Sequence, residues 1–391
     1  MKVLHLTSSR FHGGPERQML GLAEAGRNKF ETVFASFSEG HLCLEFLSRV
    51  SASGFGATEL VHDTPHLLRA RNEVRKILRK EKISVLLCHG YKAGLIGWWA
   101  ARNAGIPVVA VSRGWTGENR KVRFYEWLDR KVLKRMDRVV CVSQAQADKV
   151  RICGVKSHKI IVIPNSIDTS RFEKVDPAGR PALEKLFDWR PRLIIGAAGR
   201  LSPEKGFDLL VTAARTVVDQ NQEIGFVLFG EGNLRQSLSD QIHKAQLKRH
   251  FVLAGHRPDI DFLFPHLDLF VQSSHTEGMP NVILESLGAG VPVVATDVGG
   301  TREIIDAKLN CRLLPAGSVD ALHSAITEAV TGQFLPEQRK ALQTHISEHF
   351  DFDVQATRYL ELWNDLLSRS CGHRPTATVD QHSEKAVESR G

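Results

Sequence analysis

The stretch LDLFVQSSHTEGMPNVILESLGAGVPVVATDVGG, residues 267–300, decides the fold class of this 391-residue chain. It contains two short apolar runs, Leu267–Ser273 and Val291–Thr296, separated by a polar loop and a helix-like segment that begins near Pro280. Each run is apolar on both faces, which is typical of parallel strands covered by helices on both sides. The stretch therefore predicts a strand–helix–strand unit of a parallel sheet.

The same alternation continues through most of the chain. Further apolar runs, each followed by a longer helix-like segment, are Lys2–Thr7, Thr32–Phe37, Val85–His89, Pro107–Ser112, Val139–Ser143, Ile160–Pro164, Leu193–Gly199, Gly225–Gly230 and Phe251–Gly255. Strands that alternate with helices indicate an α/β protein with right-handed crossovers. We expect two Rossmann-like, doubly wound domains that face each other across a central cleft.

The strand pattern is interrupted once, at residues 165–192, where three prolines and many charges replace any strand-like run. We interpret this stretch as the connection between the domains, which gives an amino-terminal domain of residues 1–175 and a carboxyl-terminal domain of residues 176–351. A helix at about 352–369 is expected to pack back on the first domain. The polar segment 370–391 is expected to be disordered.

The composition, 42% hydrophobic and 25% charged residues, is that of an ordinary globular protein. Lys and Arg exceed Asp and Glu by 52 − 44 = 8, a surplus that tolerates anionic partners without requiring one. No apolar run reaches the roughly 18 residues of a membrane span, and the opening MKVLHLTSS does not resemble a signal peptide. The six cysteines form no CxxC pair, which favours reduced thiols and a cytoplasmic location over a zinc cluster.

The segment with the most chemistry lies within the opening stretch. Glu277 precedes the predicted helix and Glu285 lies about a turn inside it. The amides of Gly278, Met279 and Asn281 should point out of the helix start, where an anion or a sugar hydroxyl can bind. A carboxylate at Glu285 can accept two hydrogen bonds from a ribose diol. The framing by glycine and proline disfavours the alternative of a simple cap and a solvated surface charge.

A second candidate segment, GRLSPEKG at Gly199–Gly206, directly follows a predicted strand. Arg200 can bind phosphate oxygens through two parallel N–H groups, and Lys205 adds a point charge. Together they are suited to neutralise a leaving diphosphate. The alternative interpretation is a solvated loop between a strand and a helix.

Other motifs limit the range of functions. Gly13–Gly14 after the first strand would let the backbone approach a phosphate or sugar, although glycine pairs more often mark turns. The chain has neither a GxGxxG fingerprint nor a P-loop, which disfavours a NAD-dependent oxidoreductase and P-loop phosphoryl transfer. The DxD patterns at 259–261 and 351–353 precede helix-like runs and are interpreted as helix caps, not as a metal site.

Residues 113–138 carry nine Lys or Arg and four acidic residues, interleaved with aromatic and aliphatic side chains. This pattern fits a basic amphipathic helix on an anionic membrane surface, and slightly better a core-facing helix with a solvated basic face. No RRM, KH or helix-turn-helix signature accompanies the charge, so nucleic acid is not an expected partner.

Taken together, these segments resemble the family 4 glycosyltransferases, which are retaining enzymes of the GT-B fold. The matching motifs are GGxE at 13–16, PNSID at 164–168, GRLSPEKG at 199–206, FGEGN at 229–233, AGH at 254–256 and EGMPNVILE at 277–285. The resemblance covers about residues 1–370. Its most specific part is the pair of glutamates eight residues apart, together with the Arg/Lys segment.

The resemblance implies a role for each matching residue. Arg200 and Lys205 match the diphosphate-binding pair and Glu277 matches the carboxylate beside the donor sugar, which makes these three the candidate catalytic residues. Glu285 matches the carboxylate that binds the ribose. The remaining candidate donor-binding residues are Gly13, Gly14, Gly230, His256, Gly278, Met279, Asn281 and Val282.

The amino-terminal domain departs from the family pattern at one position. Many members carry His-Gly after the fourth strand, whereas this chain has Ser112–Arg113–Gly114–Trp115 there and His89–Gly90 earlier. Arg113 as a substitute contact to sugar or phosphate, and His89 as an acceptor contact, both remain open. Glu16 is the third residue assigned to the acceptor side.

The resemblance implies transfer of a sugar from a nucleotide diphosphate sugar, such as a UDP-sugar, to a glycan or lipid-linked acceptor. Lipopolysaccharide or exopolysaccharide synthesis is the expected setting, without a metal or another cofactor. A nucleotide-sugar epimerase of the same fold and a non-catalytic sugar-nucleotide-binding subunit are the alternatives. A cytoplasmic protein attached peripherally to the inner face of the plasma membrane would fit the basic stretch.

Overall fold

The computed structural model describes residues 1–10, 13–115, 120–306, 309–332 and 335–371. They form two lobes, each built on one parallel sheet. The first lobe contains, in chain order, β1 (Lys2–Thr7), α1 (Gly14–Ala25), β2 (Glu31–Phe37), α2 (Leu44–Ala52), β3 (Gly56–Leu60), α3 (Leu67–Lys80), β4 (Val85–His89), α4 (Tyr91–Ala101), β5 (Val108–Ser112), α5 (Arg120–Leu133), β6 (Arg138–Cys141), α6 (Gln144–Ile152) and β7 (Ile160–Val162).

A connection that includes a 3-10 turn at Thr169–Phe172 and α7 (Gly179–Glu184) leads to the second lobe. Its elements are β8 (Leu193–Ala198), α8 (Phe207–Gln220), β9 (Ile224–Phe229), α9 (Arg235–Lys244), β10 (Phe251–Gly255), α10 (Ile260–Leu263), β11 (Leu269–Gln272), α11 (Asn281–Gly288), β12 (Val293–Thr296), α12 (Thr301–Ile304), β13 (Arg312–Leu314), α13 (Val319–Thr331), α14 (Pro336–Phe350) and α15 (Phe352–Cys371).

The order of strands places a crevice in each lobe. It is β3-β2-β1-β4-β5-β6-β7 in the first sheet and β10-β9-β8-β11-β12-β13 in the second. The direction of winding therefore reverses between β1 and β4, and between β8 and β11. At such a switch point the loops leave adjacent strands in opposite directions, which opens a ligand crevice at the carboxyl ends of the strands.

Every apolar run predicted as a strand overlaps a strand of the structure, and the predicted doubly wound α/β class is confirmed. Two strands, β3 and β13, were not predicted; both lie at sheet edges and expose part of their residues. Gly56 and Thr58 of β3 and Arg312 of β13 are exposed, so these two strands lack the continuous apolar run of a central strand. Because β3 was not predicted, Ser112 was expected to end the fourth strand. In the structure it ends the fifth strand, β5.

Neighbouring residues of the central strands pack on opposite faces of their sheets. Val3 and Leu4 of β1 belong to two different buried apolar clusters, and Ile194 and Ile195 of β8 are divided in the same way. Val3 and Ile194 share one cluster, which is therefore continuous from one lobe to the other. Both faces of each sheet are covered, as the two-sided apolar runs predict.

The last helix crosses back to the first lobe. The ring of Phe352, the first residue of α15, lies where a Cβ on Gly21 of α1 would be only 2.2 Å away, so this close approach requires glycine. Trp363 of the same helix is completely buried and meets Phe30 edge-to-face, with ring centroids 4.8 Å apart. From residue 372 onward, the segment predicted to be disordered lies outside the described residues.

We expect Trp363→Ala to lower the free energy of unfolding by about 3–5 kcal/mol, because it leaves a cavity between α15 and the first lobe. Trp363→Phe should cost clearly less, since the indole Nε1 has no hydrogen-bond partner among the described residues and only volume is lost. Equilibrium unfolding in urea measures both. Equal stability of Trp363→Ala and the wild type would contradict the packing described for α15.

Candidate active site

The loops after β8 and β11 meet through an ion pair at the switch point of the second sheet. Lys205 Nζ donates to Glu277 Oε1 at 2.7 Å. Ser274 Oγ at 2.7 Å and Gln272 Nε2 at 3.2 Å donate to the same carboxylate oxygen. The ammonium and the carboxylate are both largely buried, so each is held in one position at the mouth of the crevice.

The backbone explains why Lys205 reaches this position. Pro203 begins a 3-10 turn that ends in Gly206, whose φ of +59° favours glycine. A Cβ at Gly206 would lie 2.3 Å from the carbonyl oxygen of Ser273, so no side chain fits between the loops. Ser273 Oγ in turn donates to the carbonyl of Lys205 at 3.0 Å. The segment GRLSPEKG therefore docks against the loop that carries Glu277.

Arg200 lies in the same loop and keeps its guanidinium partly exposed. Its Nη2 donates to Glu204 Oε1 at 2.7 Å, while 57% of the side chain remains accessible. Burial raises the pKa of Glu204, but hydrogen bonds from Ser202 and Arg200 outweigh it and hold the pKa below its ordinary value. Arg200 is thus oriented by a carboxylate that stays ionised.

The start of α11 is where the two lobes touch. A Cβ at Gly278 would lie 1.8 Å from the carbonyl oxygen of Arg113, and one at Gly14 would lie 3.3 Å from Nδ2 of Asn281. Asn165 Nδ2 donates to the carbonyl of Met279 at 3.0 Å and to Asn281 Oδ1 at 2.9 Å. Gly14 of the first lobe and Gly278 of the second therefore line one narrow gap.

Two further features mark the start of α11. Pro280 precedes the helix, and the amides of Asn281 and Val282 lie in the first turn, where a helix provides no acceptor. Glu285, one turn further, is almost completely buried and accepts from Arg17 Nη1 of α1 at 2.8 Å. Burial raises the pKa of Glu285, an effect that Arg17 opposes.

A buried polar group lies at the switch point of the first sheet. His89 Nδ1 accepts from Arg113 Nη1 at 3.0 Å, so His89 carries its proton on Nε2, 3.3 Å from His5 Nδ1. Burial, reinforced by the charge of Arg113, lowers the pKa of His5 to about 3 and that of His89 far below its usual value. Both imidazoles are therefore neutral near pH 7. Arg113 Nε and His5 Nε2 are buried without a partner among the described residues.

Three further residues were predicted for the site: Glu16, Gly230 and His256. The first two make structural contacts, and His256 lies further from the crevice between β8 and β11. Both carboxylate oxygens of Glu16 are used, one by Ser9 Oγ at 2.8 Å and one by the amide of Gly13 at 3.0 Å, so Glu16 shapes the glycine loop. Gly230 passes so close to the backbone of β8 and its loop that a Cβ would lie 1.9 Å from the Gly199 carbonyl oxygen. His256 is exposed after β10, two strands away from β8.

Arg17 and His5 were not predicted as site residues, and Asn165 was predicted only as part of the PNSID motif. Each of the three acts through a residue distant in the chain. Arg17 lies in the first turn of the helix that begins at Gly14, and its place just after the glycine pair is the signal that could have indicated it.

The acidic patterns do not assemble a metal site in the part of the chain that the structure describes. No group of three or more His, Cys, Asp or Glu could hold a metal ion there. Asp259 is paired with Arg257, Asp261 with Arg171, and Asp351 accepts from Thr169. Each of these three carboxylates is thus engaged by another side chain.

Two Rossmann-like domains with facing switch points define the GT-B fold, and a cation–carboxylate pair beside a helix start is suited to a diphosphate. Residues 12–171 match the family model Glycosyltransferase Family 4, and residues 187–348 match the model Glycosyl transferases group 1. The chain therefore belongs to this family of glycosyltransferases. The predicted family and GT-B fold are confirmed.

Individual relatives agree with this assignment. The chain is 27% identical over 301 residues to the Escherichia coli UDP-Gal:alpha-D-GlcNAc-diphosphoundecaprenol alpha-1,3-galactosyltransferase, covering 75% of this chain and 78% of that one. It is 29% identical over 180 residues to the lipopolysaccharide core mannosyltransferase LpsB of Rhizobium meliloti, covering 44% and 49%. Anabaena HepE, solved with UDP, superposes with a TM-score of 0.81 at 22% identity, covering 93% and 100%; this likeness supports the fold.

We expect Gly278→Ala to lower kcat/KM for sugar transfer at least about tenfold, since its methyl group would collide with the Arg113 carbonyl and push the lobes apart. Gly332→Ala is the matched control, because its Cβ would meet nothing closer than 3.6 Å. Steady-state kinetics of both variants decide the question. Full activity of Gly278→Ala would show that catalysis does not need the lobe contact at this point.

Proposed function

We propose that this protein transfers a hexosyl group from a nucleotide diphosphate sugar to a glycan or lipid-linked acceptor, with retention at the anomeric carbon and without a metal or cofactor. The observation that supports this most is the Lys205–Glu277 pair, held at 2.7 Å where the β8 and β11 loops meet. Arg200 and the first amides of α11 flank the same crevice. Nothing specific favours the epimerase alternative.

The charges fit the leaving group. Breaking the bond between the anomeric carbon and the diphosphate leaves an oxocarbenium-like sugar and a dianionic phosphate. Cations fixed at the leaving oxygens stabilise this transition state more than the ground state. On donor binding, the diphosphate takes the place of Glu277 as the partner of Lys205. The carboxylate oxygen of Glu277 is then free to accept from a hydroxyl of the donor sugar.

Retention follows from a front-face transfer. When Lys205 turns to the diphosphate, Ser274 and Gln272 still donate to Glu277 Oε1, and both oxygens of Glu16 hold the start of α1, so we assign neither carboxylate as a nucleophile. The acceptor oxygen attacks the anomeric carbon from the side that the diphosphate leaves. The proton of the acceptor hydroxyl passes to the departing phosphate oxygen, while the glycosidic bond forms.

The names of similar proteins support finer assignments. The E. coli relative uses a UDP-sugar and a lipid diphosphate acceptor, and HepE has been solved with UDP. We therefore assign UDP as the nucleotide and a lipid-linked saccharide of surface polysaccharide or lipopolysaccharide synthesis as the acceptor class. The protein then works at the cytoplasmic face of the plasma membrane, where lipid-linked acceptors are accessible.

We expect Lys205→Ala to lower kcat for transfer from the UDP-sugar at least tenfold, because the substitution removes the positive charge that stabilises the leaving diphosphate. This loss corresponds to an increase of about 1.4 kcal/mol or more in the activation barrier. Lys244→Ala, an exposed lysine on α9, is the matched control and should be unaffected. Radiolabelled sugar transfer measures both. Unchanged turnover of Lys205→Ala would remove the leaving-group role, and an epimer formed from UDP-sugar alone would favour an epimerase.

We further propose that α5 lies on an anionic membrane surface. Its Val132 and Leu133 are buried against the lobe, whereas Phe124 and Trp127 are about half exposed and stack on each other. Lys131 lies 5.7 Å from the Trp127 ring. Exposed aromatic rings beside basic residues are typical of helices at a lipid interface. No helix within the described ranges combines the length and apolarity needed to cross a membrane.

The double substitution Phe124→Ala and Trp127→Ala should reduce binding to vesicles that contain phosphatidylglycerol several-fold, because the aromatic side chains that enter the interface are removed. Ile152→Ala on α6, 85% exposed in the wild type, is the control for a lost surface hydrophobe. Vesicle co-sedimentation at low and high salt measures the effect. Equal binding of the double variant and the wild type would contradict a membrane role for α5.

A further inference from the structure

Arg17 and Glu285 form a charged contact between the two lobes. Arg17 lies in the first turn of α1, and its Nη1 is 2.8 Å from Oε1 of Glu285 in α11. The glutamate side chain is 5% exposed, whereas that of Arg17 is 40% exposed. A cation at the cleft surface of one lobe thus reaches a buried carboxylate of the other.

The effects of the other two charged groups on the pKa of Glu285 largely cancel. Arg171 of the 3-10 turn Thr169–Phe172 favours the ionised carboxylate, and Asp261 of α10 opposes it. Arg171 and Asp261 are bonded to each other, so their combined effect at Glu285 is small. Burial raises the pKa of Glu285, and Arg17 is the main group that counteracts it. Without Arg17, a buried carboxyl would be left with a strong tendency to take up a proton.

We propose that Arg17 is the positioning residue for the ribose end of the donor, acting from the first lobe on the carboxylate of the second. This inference rests on the proposed function, in which Glu285 binds the ribose diol. Arg17 favours the ionised form of that carboxylate against the effect of burial and holds its Oε1 at 2.8 Å, on the side of the gap between the lobes. Donor binding therefore depends on a residue of the lobe assigned to the acceptor.

The geometry lets Arg17 stay in place when the donor binds. A carboxylate offers about four acceptor positions on its two oxygens. Arg17 uses one position on Oε1, which leaves the second oxygen and the remaining lone pair for the two ribose hydroxyls. Because the arginine supports the carboxylate without occupying its whole acceptor capacity, its effect should appear only through the ribose hydroxyls.

The test compares UDP with 2′-deoxy-UDP in calorimetric titrations of Arg17→Met, Arg17→Lys and the wild type between pH 6 and 8.5. We expect Arg17→Met to weaken UDP binding at least tenfold at pH 6 and less at higher pH, because loss of the guanidinium raises the pKa of Glu285 further and a rising pH restores the carboxylate. The loss should be much smaller for 2′-deoxy-UDP. Arg17→Lys should retain most of the affinity.

Arg49→Met, in an exposed ion pair on α2, is the matched control and should bind as the wild type does. An equal loss for UDP and 2′-deoxy-UDP, or a loss independent of pH, would overturn the proposal, because Arg17 would then act on the phosphates or on the shape of the lobe. Wild-type affinity of Arg17→Met would overturn it as well. If the wild type binds no UDP, or binds UDP and 2′-deoxy-UDP equally, the assigned UDP–ribose site fails before Arg17 is tested.

Discussion

The ion pair between Lys205 and Glu277 determines how the rest of the site is arranged. Both groups are largely buried, and a buried charge without a partner is strongly unfavourable. The ion pair therefore stabilises the positions of both side chains, and it links the loop after β8 to the loop after β11. Ser274 and Gln272 donate to the same carboxylate oxygen as Lys205. The cation is thus held close to where a diphosphate would need it, and donor binding would exchange one anionic partner of Lys205 for another.

The first lobe contacts the second lobe closely on the side of the site where α11 begins. The α6 start is capped by the second lobe, since the amides of Gln144 and Ala145 donate to Glu303 of α12 at 2.7 and 3.1 Å. Together with the Gly278–Arg113 approach, this contact brings the lobes together around the α11 start. A gap this narrow favours the exclusion of water, which would strengthen electrostatic interactions inside it and limit hydrolysis of a donor bound there.

The sequence predicts the parts of the molecule that depend on local pattern. Central strands, the glycine and proline frame of α11 and the cations after β8 are visible because they follow from burial and backbone rules within a few residues. The edge strands β3 and β13 are not, since partial exposure removes the apolar run. Pairings such as Arg17 with Glu285 are also invisible, because 268 residues separate the partners and only the lobe arrangement brings them together. The same holds for His5, whose partner His89 lies on a neighbouring strand.

The central claim is that the second lobe captures a diphosphate with Lys205, Arg200 and the amides of α11 while Glu285 takes the ribose. A crystal structure of the protein with UDP tests it most directly. The account predicts phosphate oxygens within hydrogen-bond distance of Lys205 Nζ, in place of Glu277, and ribose hydroxyls on Glu285. A diphosphate bound away from the β8–β11 crevice, with the Lys205–Glu277 pair unchanged, would contradict it.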